Sequence, residues 1–78
     1  MEHELKILPP FFIELINGNK NFEIRKDDRD YKVGDTIILR EFNDGTYTGR
    51  ECSRKISFLL RGAEQYGLKN GFVILSIK

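Results

Sequence analysis

Apolar and polar positions alternate along four stretches of this chain, run almost wholly apolar along a fifth and recur at helical spacing along a sixth. Residues 2 to 8 alternate in part, with Leu5 and Ile7 on one side and Glu4, Lys6 and Leu8 on the other, which predicts a first strand. Pro9 and Pro10 end it, and proline suits the first position of a helix. Phe12, Ile13, Leu15 and Ile16 then share one broad face with Glu14 outside it, as in a short amphipathic helix. Gly18 follows as the C-terminal cap, where a left-handed backbone costs glycine little. Residues 21 to 26 predict a second strand. Phe22 and Ile24 point one way, into apolar packing, while Asn21, Glu23 and Arg25 point the other. On that reading Ile24→Ala removes core contacts and costs about 2–5 kcal/mol.

Residues 26 to 32 are mixed in sign and rich in turn formers, which predicts a surface loop. Val33-Gly34-Asp35 turns into a third strand, Thr36 to Phe42. Ile37, Leu39 and Glu41 share one of its faces; Ile38, Arg40 and Phe42 share the other. Asn43-Asp44-Gly45-Thr46 is a hairpin signal. The fourth strand runs from about Tyr47 to Leu60, and Gly49 marks a bulge or bend in it. Cys52, Arg54, Ile56, Phe58 and Leu60 are expected on one face, with Glu51, Ser53, Lys55 and Ser57 on the other. Arg61 to Asn70 is a connection, either a plain crossover or a lid carrying Tyr66. The last strand, Phe72 to Ile77, is almost wholly apolar, so it is expected to be central and buried on both faces. The order is βαββββ: a mainly β (α+β) single domain over residues 1–78, with one short helix after the first strand. Five strands with long bare edges invite aggregation, and closure into a small β-barrel with the helix as plug removes them.

Composition narrows the function. Thirteen Lys and Arg against twelve Asp and Glu give a net charge of +1, so no global field drives nucleic-acid binding and any such binding needs a local patch. One cysteine, Cys52, and one histidine, His3, supply neither a disulfide nor a zinc site, so no metal and no cofactor are expected. Cys52 has no histidine base in the pattern and reads as an inert packed thiol. The absence of a signal-peptide pattern or long apolar run makes a cytoplasmic, non-membrane protein the expectation.

Candidate chemistry concentrates at Gly18 to Arg25. Lys20, Glu23 and Arg25 form a charged row that is either a solvated strand face or the polar wall of a cleft. Lys20 either completes the helix C-terminus through its dipole or is aimed at a phosphate or carbonyl. Arg29 and Tyr31 either belong to a solvated loop or form a nucleotide rim, one by charge and one by stacking.

The spacing Gly-x-Lys-x-x-Glu-x-Arg, met by Gly18, Lys20, Glu23 and Arg25, resembles the signature of ASCH domains, a branch of the PUA-like superfamily of small β-barrels. His3 to Ile7 with Pro9 and Phe12, Arg25 to Arg29, Val33 to Asp35, Tyr47 to Arg50 and Gly71 to Leu75 resemble a small bacterial and phage ASCH-like subfamily of unknown function. The resemblance covers nearly the whole chain. It implies a PUA-like barrel and an RNA- or nucleotide-binding module, with a cleft between helix and barrel. Lys20 and Arg25 would meet phosphate or a base edge, Glu23 would accept from an exocyclic amine, and Arg29, Tyr31 and Tyr66 would serve the same ligand. The alternative is a small hydrolase, a nuclease or amidohydrolase acting on RNA or modified nucleosides. In the amidohydrolase type the motif lysine works with a threonine and a glutamate. Lys20 matches the lysine, but Glu23 stands three residues on where the threonine is expected, which removes that nucleophile. Lys20 and Glu23 would then be left as the acid–base candidates. A third reading is a protein-interaction domain whose charged strand is surface.

Overall fold

The computed structural model describes residues 1–78. Its elements are β1 (Glu2–Ile7), α1 (Pro9–Ile16), β2 (Phe22–Lys26), β3 (Thr36–Asn43), β4 (Thr46–Arg61) and β5 (Phe72–Ile77), with one 3-10 turn, Glu64–Tyr66, before β5. Proline opens α1, and the helix closes as the cap signal predicts. Gly18 takes φ +79°, its N–H donates to Leu15 O at 3.1 Å, and the Asn19 N–H donates to Glu14 O at 2.9 Å. This Schellman arrangement satisfies the last carbonyls and turns the chain directly into β2.

The strands form one mixed sheet in the order β1-β3-β4-β5-β2. β1 lies parallel to β3, and the other three pairings are antiparallel. The sheet is not closed, because β1 and β2 are its two edges and do not pair. Side chains span the seam between them. Arg25 donates to Lys6 O at 2.6 Å and Arg29 to Glu4 O at 2.9 Å, so arginines occupy carbonyls on the β1 edge.

The core lies on the concave side of the sheet under α1. Phe12 and Leu15 of the helix meet Leu5 and Ile7 of β1, Ile37 and Leu39 of β3, Ile56 of β4, and Val73, Leu75 and Ile77 of β5. Two polar clusters share this side. His3 has the same parity as Leu5 and Ile7, is 5% exposed, and meets Asp35 at 2.8 Å. Glu41 continues the inward row of Ile37 and Leu39 at 2% exposure. A bulge supplies its partners: the register skips between Arg40 and Phe42, and Gly49 adopts φ +97° in the opposing strand. That geometry lets Thr48 donate to Glu41 at 2.7 Å and Arg50 grip both its oxygens at 2.8 and 2.7 Å.

Four expectations change. In β2 the inside and outside are exchanged: Glu23 is buried, while Phe22 and Ile24 are 46% and 51% exposed. In β4 a second bulge between Ile56 and Phe58 shifts the alternation, so Leu59 packs against the core and Phe58 and Leu60 face out. β5 has a strand on each side, but only Val73, Leu75 and Ile77 are buried; Phe72, Ile74 and Ser76 are half-exposed. Tyr31 is 1% exposed and sits edge-on to His3 at 4.8 Å, so it is a core residue and offers no face for stacking a base. No helix is long and apolar enough to cross a membrane.

Candidate functional site

The tight exit from α1 brings the start of β2 back along the helix. Between them lies a groove of about 510 Å³, lined by Phe11 and Glu14 of the helix, Asn19 and Lys20 of the turn, and Phe22, Glu23 and Ile24 of β2. Ligand pockets commonly have this size and an apolar wall with few polar groups.

Of the groove's polar side chains, Asn19 donates to Glu14 Oε1 at 2.9 Å, while Lys20 meets Glu23. One Glu23 carboxylate oxygen, Oε1, lies 3.0 Å from Lys20 Nζ; the other, Oε2, lies 3.4 Å from Arg25 Nε. Two cations thus compensate a carboxylate that is only 5% exposed. The ammonium directs an aligned hydrogen bond to Phe22 O at 2.6 Å, and Glu23 Oε1 is left buried without an aligned donor. Lys20 Nζ also sits 4.9 Å from the Phe22 ring centre and 5.9 Å from that of Phe11. An ammonium has three donors. Phe22 O takes one of them, and hydrogens remain for a ligand oxygen between two aromatic rings.

Arg25 belongs to this cluster through Glu23, but its guanidinium reaches away from the groove to Lys6 O. With Arg29 and Tyr31 it lines a smaller cavity of about 140 Å³ at the β1–β2 seam. Arg29 is held by Glu4 O and stands 3.9 Å from Asp28. Tyr66 is 80% exposed on the 3-10 turn and lines neither cavity. The structure therefore brings Lys20, Glu23 and Arg25 together, sets Arg29 beside them, and separates Tyr31 and Tyr66 from the groove. Phe11, Glu14, Asn19, Phe22 and Ile24 are groove residues that sequence reasoning missed. For Phe11 the available signal was its standing beside Phe12, since adjacent helix positions cannot both point inward.

The loop after β2 is fastened to β4, which holds the strand in place. Arg61 donates to both oxygens of Asp27 at 2.6 and 2.9 Å and to Tyr31 O at 3.3 Å. The Arg61 guanidinium holds the Asp27 carboxyl below its usual range.

A family described as "Domain of unknown function (DUF3850)" matches residues 2–77. Among curated proteins, the "Uncharacterized 12.9 kDa protein in GpA 3'region" of Escherichia phage P2 is 42% identical over 55 residues. Those residues cover 70% of this chain and 50% of the phage protein, so the matched part spans half the length of that relative.

Proposed function

The chain belongs to the DUF3850 family, a domain of unknown function, and we propose that its groove between α1 and β2 binds RNA or a nucleotide-like ligand. The observation that carries this reading is the buried Glu23 Oε1, which lacks an aligned donor beside the Lys20 ammonium and two phenylalanine rings. A nucleotide answers each part of that description. Its base is a flat ring that packs on Phe11 or Phe22. An exocyclic amine supplies the donor that Glu23 Oε1 lacks, and a phosphate or base carbonyl takes a Lys20 hydrogen that Phe22 O leaves free. Because Oε1 is covered by Lys20, the amine reaches it as the lysine swings from the carboxylate toward the ligand oxygen.

We read the fold as an ASCH-type, PUA-like barrel in which side chains bridge the seam between β1 and β2. The order βαββββ, the Lys20–Glu23–Arg25 cluster and the arginines across the seam support that reading.

Fluorescence anisotropy of a labelled single-stranded RNA tests the binding claim. Wild type is expected to bind, and Lys20→Ala to weaken binding and lower the salt slope by about one. Equal affinities and slopes for the two proteins would remove Lys20, and with it the groove, from the site.

A further inference from the structure

The second bulge has a consequence on the convex side of the sheet. It turns Phe58 and Leu60 outward, 61% and 40% exposed, beside Phe22 and Ile24 at 46% and 51%. The strand registers make these residues neighbours. Phe22 and Phe58 flank Ser76, Ile24 and Leu60 flank Ile74, and Phe72 stands opposite Lys26. The result is an apolar face across β4, β5 and β2, interrupted by Ser76, on the order of 400 Å² at ~200 Å² per large side chain, the size of the largest patch on a typical monomer, which is often functional.

Lysines frame both ends of this face. Lys26 and Lys69 stand at the Phe72 end, with Lys69 Nζ 5.8 Å from the Phe72 ring centre. Lys55 and Lys78 stand at the other end, joined by two backbone hydrogen bonds of 3.2 and 3.0 Å. None of these four ammonium groups has a carboxylate partner, and only that of Lys55 is engaged, donating to Thr36 Oγ1 of β3 at 3.2 Å. The nearby Asp27 is already neutralised by Arg61. From residue 72 to residue 78 the face runs about 20 Å at ~3.3 Å per residue.

We propose that this convex face is a stacking platform for a single-stranded polynucleotide. Bases lie on Phe22, Phe58 and Phe72, and the framing lysines hold phosphates. The inference rests on the nucleotide reading of the groove and deepens it. Phe22 borders both surfaces, so one strand places a nucleotide in the groove and its neighbours on the platform. The ligand is thereby a polynucleotide rather than a free nucleotide. Charge decides against a second copy of this chain, since two such faces would bring unpaired ammonium groups of one sign together.

The test compares a fluorescein-labelled single-stranded RNA of about ten nucleotides, within the ~4–16 nucleotides that small single-strand binders cover, with cytidine monophosphate. Both are titrated into wild type, Phe58→Ala, Lys78→Ala and Lys20→Ala. Phe58 is exposed, so its truncation leaves the fold intact, as a melting curve verifies. Phe58→Ala is expected to weaken the oligonucleotide about tenfold and to leave the mononucleotide unchanged. Lys78→Ala is expected to lower the salt slope by about one. Oligonucleotide affinity unchanged in Phe58→Ala, with Lys20→Ala impaired, overturns the platform and keeps the groove. Sensitivity to Phe58→Ala without sensitivity to Lys20→Ala or mononucleotide binding keeps the platform and overturns the groove. Wild type that binds neither probe overturns both. A dimer in sedimentation that Phe58→Ala dissociates, with RNA affinity unchanged, assigns the face to self-association.

Discussion

Glu23 sits on the buried side of an edge strand because Lys20 and Arg25 meet its two oxygens there. Alternation along β2 correctly separates Phe22 and Ile24 from Glu23 and Arg25, but alternation alone does not say which side is inside. Apolar residues usually decide that question, and here paired charges do. The consequence is measurable. Ile24→Ala, expected from the sequence to be a core truncation, changes stability little because the side chain is half-exposed. Leu75→Ala, fully buried opposite Glu23, costs about 2–5 kcal/mol. Urea unfolding of the two variants separates the orientations. Glu23→Gln keeps the shape but removes the charge that Lys20 and Arg25 compensate. Its far-ultraviolet circular dichroism is expected to match wild type while its ligand preference changes. A Glu23→Gln protein that is unfolded would make the carboxylate structural.

At the level of elements, the strands and the helix were legible because each carries its own period and its own punctuation. Pro9 and Gly18 bracket α1, and Asn43 to Thr46 close the β3–β4 hairpin. The Gly49 bulge was legible too, since a lone glycine in a strand has few other uses. The bulge after Ile56 carries no glycine, so the period-two reading ran through it and misplaced Phe58 and Leu60. The Glu41–Arg50 pair escaped for a related reason. An acid in line with Ile37 and Leu39 signalled a buried charge, but its partners came within reach only through the bulge. Gly49→Ala forces a left-handed backbone on alanine and is expected to cost about 1–3 kcal/mol, measured by urea unfolding. Arg50→Ala leaves Glu41 buried without its guanidinium and is expected to lower the melting temperature more than Arg40→Ala. Arg40 meets the exposed Glu4 at 3.3 Å and lies over the exposed Tyr47 ring at 4.0 Å, both surface contacts.

Across the whole molecule, pairing between distant strands was the least legible feature. The parallel β1–β3 contact and the open β1–β2 seam depend on how the sheet curls, which no local pattern records. Acid sensitivity is also a property of the whole chain. The His3 hydrogen bond, with that of the Lys32 N–H, lowers the Asp35 pKa to about 2. Arg50 and then Thr48 lower that of Glu41, and Arg61 lowers that of Asp27. A carboxylate with a folded pKa below its unfolded value contributes stability above the unfolded value, and that stability is lost as pH falls through the folded one. For Asp35 the window runs from about pH 4 down to about pH 2. Melting temperature is therefore expected to fall across that window, and Asp35→Asn to flatten the fall. An equal slope in the variant would remove Asp35 as a cause.

The central claim, a nucleotide site in the α1–β2 groove, is tested most directly by amide chemical shifts of ¹⁵N-labelled protein titrated with cytidine monophosphate. The account predicts saturable shifts concentrated at Phe11 and from Asn19 to Ile24, reduced in Glu23→Gln. Shifts confined to residues outside the groove, or a spectrum unmoved by the nucleotide, would contradict it.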